Sequence, residues 1–122
     1  MSSYKDMKDW QICQLVHNHV VCDGEFDVTF ENYGCQWQFK DKSRSSETFE
    51  FTMNEAKARV KGYVSEIEHA WPIIVENKIS IAFGSELTTA RVFTCTNSFE
   101  VIDKNPLRAA CICFLKMKDE EK

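Results

Sequence analysis

The sequence predicts an α+β fold: one domain over residues 1–122, with an antiparallel sheet of about five strands carrying helices mainly on one face, in the order α-β-β-β-α-β-β-α. Three observations lead there. Apolar residues recur at three- and four-residue steps near both ends of the chain and again after residue 54, the period of a half-buried helix. After the first of these stretches, short runs alternate apolar and polar residues, the period of a strand with one buried face. The runs are joined by few residues, which suits antiparallel hairpins. A chain of 122 residues with 43% hydrophobic and 28% charged content is large enough to close its own core and too apolar to remain disordered.

The first helix is expected from about Asp6 to Val20, with Met7, Trp10, Cys13, Val16 or His17, and Val20 along one face and Asp6 as its cap. Cys22-Asp23-Gly24 turns the chain. Glu25–Glu31 alternates as the first strand: Phe26, Val28 and Phe30 face inward, with Asp23, Glu25, Asp27 and Glu31 solvated rather than paired for catalysis. Asn32-Tyr33-Gly34 turns again, and Cys35–Lys40 alternates around Trp37 and Phe39. The polar stretch Asp41–Ser46 leads to a third strand, Thr48–Met53, through Phe49 and Phe51. A second helix begins with Asn54 as its cap and places Ala56, Val60, Tyr63, Val64 and Ile67 on one face. Pro72 lacks an N–H and clashes with the preceding turn, so it ends or kinks this helix near Ala70, and Pro72–Asn77 restarts as a short helix. Strands follow at Lys78–Phe83 and Ala90–Thr96, separated by a Gly84–Thr88 turn. Phe99–Ile102 is either a last short strand or an extended lead into the final helix.

The final helix is the most fully specified element. Asn105 can accept a hydrogen bond from an unpaired N–H of the first turn, and Pro106 takes the first helical position, where its missing N–H costs nothing. Leu107, Ala110, Cys111, Phe114 and Leu115 form one apolar face. Lys116 and Lys118 complement the carbonyl end, and Asp119–Lys122 is an acidic tail expected to fray. Arg108 runs against this logic, because a cation in the first turn opposes the helix dipole. Either it pairs at the surface with Asp103 or Glu100, or it meets an acidic partner or a phosphate.

Three segments carry a family resemblance. They are Asn105-Pro106-Leu107-Arg108-Ala109-Ala110 with the apolar helix that follows, the central block Ala70-Trp71-Pro72-Ile73-Ile74-Val75-Glu76-Asn77-Lys78-Ile79-Ser80-Ile81, and the opening Tyr4-Lys5-Asp6-Met7-Lys8-Asp9-Trp10-Gln11-Ile12. In this order they resemble the NinX-like family, small proteins encoded mainly by tailed phages and prophages of enteric bacteria. Residues 22–60 lie outside the resemblance. It implies a phage origin, hence a place in the host cytoplasm, and one shared scaffold; it implies no activity.

Charge and motif content narrow the function further. A net charge of −4, from 15 basic and 19 acidic residues, disfavours nucleic-acid binding, which rests on a clustered positive face; only Lys40–Arg44 gathers cations. Apolar runs fall short of the ~20 residues that span a bilayer, and no N-terminal stretch joins a basic start to an apolar core, so neither a membrane span nor a signal peptide is expected. The six cysteines, Cys13, Cys22, Cys35, Cys95, Cys111 and Cys113, include no Cys-x-x-Cys spacing. Cys111 and Cys113 fall about 200° apart around a helix, and free cysteine as a small buried apolar residue is the expectation. Cys13 and His17 could share a helix face, yet no third metal ligand stands at a recognisable spacing. His69 precedes the Trp71-Pro72 break and accompanies no nucleophile motif.

The expectation is therefore a protein with no catalytic, cofactor-binding or metal-binding residues and no cofactor. It would act by binding a host or phage protein, for example as a modulator of host defence or replication. Arg108, Trp71 and His69 are the candidate partner or ligand surface. Pairing of free sheet edges would allow a homodimer. The alternative is a module that binds or sequesters a small molecule or nucleotide in a pocket lined by Trp71, Tyr63, Trp37 or Trp10.

Overall fold

The computed structural model describes residues 4–31 and 33–120. Alternation in the first half survives intact: β1 (Phe26–Glu31) turns Phe26, Val28 and Phe30 inward and leaves Asp27, Thr29 and Glu31 exposed. It pairs antiparallel with β2 (Gly34–Phe39), which pairs with β3 (Thr48–Thr52). The register aligns Val28, Trp37 and Phe49 in one cross-strand row and Phe30, Cys35 and Phe51 in the next, so aromatic and branched side chains stack across the sheet. A Cβ at Gly34 would collide with the Phe51 carbonyl, so this position admits only glycine. The expected Asn32-Tyr33-Gly34 turn includes Asn32, which lies outside the described residues.

The second half repeats the meander: β4 (Ser80–Phe83), β5 (Thr88–Phe93) and β6 (Ser98–Asp103) form their own antiparallel sheet. The fold is thus mixed α and β, as expected, but the single five-stranded sheet is corrected to two sheets of three strands, ordered β1-β2-β3 and β4-β5-β6. The ambiguous Phe99–Ile102 stretch is the sixth strand. It places Val101 opposite Ala90 on the buried face, and Arg91 opposite Glu100 on the exposed one.

Helix boundaries moved for identifiable reasons. α1 (Asp9–Val20) follows a 3-10 turn at Tyr4–Asp6, and its start is held by the Lys8 N–H donating to Gln11 Oε1 at 2.8 Å, not by Asp6. α2 (Met53–Arg59) is capped by Thr52 rather than Asn54. The Thr52 N–H donates to Glu55 Oε2 at 2.8 Å and Thr52 Oγ1 accepts from the Glu55 N–H at 3.3 Å, a reciprocal pair that Asn54 has no glutamate to complete.

That helix ends at Arg59, before Tyr63, Val64 and Ile67 can join its face. Tyr63 and Val64 are instead buried from the connecting turn, whose carbonyls are satisfied by the last helix: the Cys111 thiol donates to Tyr63 O and Asn105 Nδ2 donates to Val64 O at 2.6 Å. α3 (Ile67–Glu76) then runs straight through Pro72. The break expected near Ala70 falls earlier, over 60–66. Pro72 costs α3 the hydrogen bond to the Glu68 carbonyl, and Glu68 lies on the exposed side, where water can solvate that oxygen.

α4 (Pro106–Glu120) is the centre of the molecule. Every residue from Arg108 to Leu115 is buried, including Ala109, Ile112 and Cys113, which lie off the single apolar face that periodicity suggests. A helix buried on all sides is a core element. Sheet β4-β5-β6 covers one side, and α1 and α3 cover others. The acidic end is held rather than frayed as far as Glu120. Tyr4 Oη donates to Asp119, and Glu120 accepts from Thr94 and Thr96 of the β5–β6 turn. Residues 121 and 122 of the expected tail lie outside the described residues.

α1 serves both sheets. Ile12, Cys13 and Val16 enter the core around α4, while Trp10 packs with Cys35, Trp37, Ala56 and the inward phenylalanines of β1. Gln14 is fully buried, and its Nε2 donates to the Ala56 carbonyl at 2.7 Å.

Because Pro72 interrupts an otherwise continuous exposed helix, Pro72→Ala should restore the bond to Glu68. The expected gain is about 1–2 kcal/mol, after allowance for the looser unfolded chain, read as a higher urea midpoint with an unchanged slope. Leu115→Ala should lower the same midpoint by about 2–5 kcal/mol of stability.

Candidate functional site

Arg108 is placed first by its surroundings. Asn105 caps α4 as expected, its Oδ1 accepting from the Leu107 and Arg108 N–H groups at 2.9 and 3.3 Å. The Arg108 side chain is buried, not exposed. Nε donates to Asp103 Oδ2 at 3.1 Å and Nη1 to Asp9 Oδ1 at 2.7 Å, while Nη2 lies 2.6–3.2 Å from the carbonyl oxygens of Tyr4, Lys5 and Met7. Asp103 is therefore a partner as expected. Glu100 is not, because it pairs across the sheet with Arg91. Two carboxylates offset the unfavourable position of this cation in the first turn of α4. The guanidinium faces the protein's own carbonyls, so Arg108 is removed from the candidate surface.

Trp71 and His69 stand two residues apart on α3 and so point to different sides of it. Ala70, Ile73 and Ile74 form the buried side. On the outside, Ile67, Trp71 and Val75 remain 60%, 54% and 55% exposed. They are spaced i, i+4, i+8 and make one continuous apolar ridge. The neighbouring ridge, Glu68, Pro72 and Glu76, is also exposed. His69 is half-buried, with its ring against Tyr63 at 6.5 Å between centroids, and its Nε2 lies 2.8 Å from Glu66 Oε2. Glu66, Glu68 and His69 bring three metal-type donor atoms within 4.8 Å of one another. Two of the three are exposed carboxylates, and the imidazole already lies against Glu66, a local contact of the helix start.

A groove of about 460 Å³ lies beside this helix start, between the first turns of α1 on one side and the end of α2 with the 60–66 connection on the other. Trp10, Cys13, Val60 and Val64 supply apolar wall; Lys57 and Lys61 supply charge. Of the four aromatics expected to line a pocket, Trp10 lines this groove. Tyr63 and Trp37 are core residues, and Trp71 faces solvent. Burial pushes the Cys13 thiol up, which suits a packing role better than a nucleophilic one. Deeper in the core, burial raises Cys111 to about 12 and Cys113 to about 11. All six cysteines are free thiols.

Beneath the groove, α1 lays Trp10, Gln14 and His17 along one face toward β2 and α2. Trp10 Nε1, Gln14 Oε1, His17 Nδ1 and Trp37 Nε1 are buried there without hydrogen-bond partners among the described residues. His17 packs edge-on against Trp37 at 5.9 Å, and its pKa is lowered, first by burial and then by Arg59 and Lys61. The sequence reading places His17 on the inner face as an alternative to Val16 and weighs it with Cys13 as a metal ligand, but Gln14 carries no signal that would mark it as buried, so the seam is not legible from the sequence. The apolar ridge of α3 is missed as well, because the sequence reading puts Ile67 in one helix, Val75 in the next and Trp71 at the break between them.

No family model, curated relative or solved structure matches this chain. No helix among the described residues is long and apolar enough to cross a membrane.

Arg108→Ala should cost about 2–4 kcal/mol, since it leaves the largely buried Asp103 carboxylate and several carbonyls without their donor, while the exposed Asp9 is solvated by water. Hydrogen exchange should show residues 4–8 losing protection first. Arg108→Lys should recover only part of the loss, because a point charge cannot serve divergent acceptors. His17 gives a pH signature. The unfolded chain takes up a proton near pH 6.5 that the folded state resists, so stability is fullest above that pH and declines as pH falls below it. The urea midpoint should drop more between pH 7.5 and pH 5 in the parent protein than in His17→Gln.

Proposed function

We propose that this chain is a small accessory protein, without catalysis of its own, that works by binding another protein through the outer face of α3. The ridge of Ile67, Trp71 and Val75 carries the reading. The opposite face of the same helix already supplies the core with Ala70, Ile73 and Ile74, so folding has no use for the outer one. Contiguous apolar patches on small proteins mark contact surfaces, and tryptophan is the residue type most often dominant in them. The resemblance of Ala70–Ile81, Tyr4–Ile12 and Asn105–Ala110 to NinX-like proteins supports a phage origin, a host or phage protein as the partner, and the host cytoplasm as the place of action.

A second reading, binding of a small molecule or nucleotide, is favoured by the groove where Trp10 stands beside Lys57 and Lys61, a pairing of aromatic face and cations suited to an anionic ring compound. Native mass spectrometry of protein purified from its host would show that ligand as an added mass that Trp10→Ala removes.

For the main reading, the immobilised protein and its Trp71→Ala variant are compared as baits in lysate of infected host cells. Trp71 is exposed, so the variant should keep the parent's circular dichroism and urea midpoint. The expected result is a partner held by the parent and weakened by about 2 kcal/mol or more in the variant. Equal capture by both baits would overturn the assignment of the surface.

A further inference from the structure

Resting on that reading of α3, we infer that the occupant of its outer face is a cationic amphipathic helix of another protein. Two parallel ridges define the surface. Ile67, Trp71 and Val75 make an apolar ridge about 12 Å long, and Glu68, Pro72 and Glu76 run beside it one residue on. Glu66 adds a third carboxylate at the helix start. From Glu66 to Asn77 the sequence holds three glutamates and no lysine or arginine. The face is therefore apolar on one line and acidic on the next, and Glu68 and Glu76 on that line face no lysine or arginine from the helix itself.

The backbone supplies an independent pointer. Pro72 has no N–H, so the Glu68 carbonyl lacks its helical donor, and it sits on the acidic ridge at the exposed side. A lysine or arginine laid along this ridge meets the Glu68 and Glu76 carboxylates, two turns apart. Such a residue next to an apolar stripe is the pattern of a basic amphipathic helix, which would set its own apolar face on Trp71.

The same charges argue against other occupants. Parallel pairing with a second copy sets Glu68 on Glu68, and antiparallel pairing about Trp71 sets Glu76 against Glu66. Both juxtapose like charges at the edge of an apolar contact. Nucleic acid and anionic lipid surfaces are repelled for the same reason.

The test uses the full chain and two synthetic helical peptides, one of leucine and lysine in amphipathic order and one with every lysine replaced by glutamate. Binding is followed by amide chemical shifts and by titration. The inference expects the leucine–lysine peptide to bind, with shifts concentrated at 67–76, and to weaken as salt shortens screening from ~10 Å toward ~3 Å. Trp71→Ala and the double variant Glu68→Lys with Glu76→Lys should each weaken it about tenfold or more. Equal binding of the leucine–glutamate peptide, or shifts centred elsewhere, would overturn it. So would self-association in sedimentation that Trp71→Ala abolishes, which would assign the face to a second copy. Failure of the lysine peptide alongside Trp71-dependent capture from lysate removes the cationic partner and leaves the contact surface standing. Capture that ignores Trp71 removes both.

Discussion

A single guanidinium, that of Arg108, joins segments that lie a hundred residues apart in the chain. It receives the carbonyls of the turn before α1, the carboxylate of Asp9 at the start of α1, and the carboxylate of Asp103 at the end of β6. Arginine suits this junction because its planar fork offers several donors in fixed directions, whereas an ammonium concentrates its charge at one point. With the chain's opening segment pinned there, α1 is held against α4 at the angle that lets it serve two cores. The Tyr4 hydroxyl on Asp119 adds a second tie to the far end of α4. Removing one partner of a buried charge pair leaves the other uncompensated and is among the costlier single changes a small domain can suffer, so the junction governs the architecture.

Around that junction the chain builds the same order twice: helix, three-stranded meander, helix. α1, β1-β2-β3 and α2 form the first series, and α3, β4-β5-β6 and α4 the second. The two closing helices have different fates. α2 ends after two turns and contributes Ala56 to the smaller core, whereas α4 is enclosed on all sides. The difference follows from side-chain size and polarity. Ala109, Ala110, Cys111, Cys113 and their larger neighbours let α4 be approached closely from every direction, while Lys57, Arg59 and Glu55 keep α2 at the surface. α1 bridges the halves, and the price is a polar seam: Gln14 and His17 are carried into the interior with atoms that find no partner among the described residues.

α3 differs from the other helices in having two apolar faces and one use for them inside the fold. Its inner residues close the core against α4, and its outer residues remain in water beside a line of glutamates. A helix that serves folding alone would carry polar residues on the outer line, as α2 does. The interrupted hydrogen bond at Pro72 sharpens the same contrast, because it lowers the helix's own stability while leaving a carbonyl acceptor on the outer surface. Both features cost the isolated chain something, and folding alone gives neither a use.

Local patterns in the sequence determined much of the secondary structure. The alternation at Phe26–Glu31 and around Trp37, the Asn105-Pro106 start of the last helix, and the mixed α and β class all follow from periods and caps that act over a few residues. The number of sheets, the end of α2 at Arg59, the passage of α3 through Pro72 and the burial of Arg108 were decided by tertiary structure. Two of these rest on partners remote in sequence: Tyr63 and Val64 leave the helical register because Cys111 and Asn105 take their carbonyls. Arg108 turns inward because the carbonyls of Tyr4, Lys5 and Met7 converge on it. The candidate surface divides the same way. Trp71 and His69 were legible as unusual residues beside a proline, but the ridge that gives Trp71 its meaning required Ile67 and Val75 to share one unbroken helix. Helical periodicity tells which residues can face the same way; only packing decides which of the two faces is left for water.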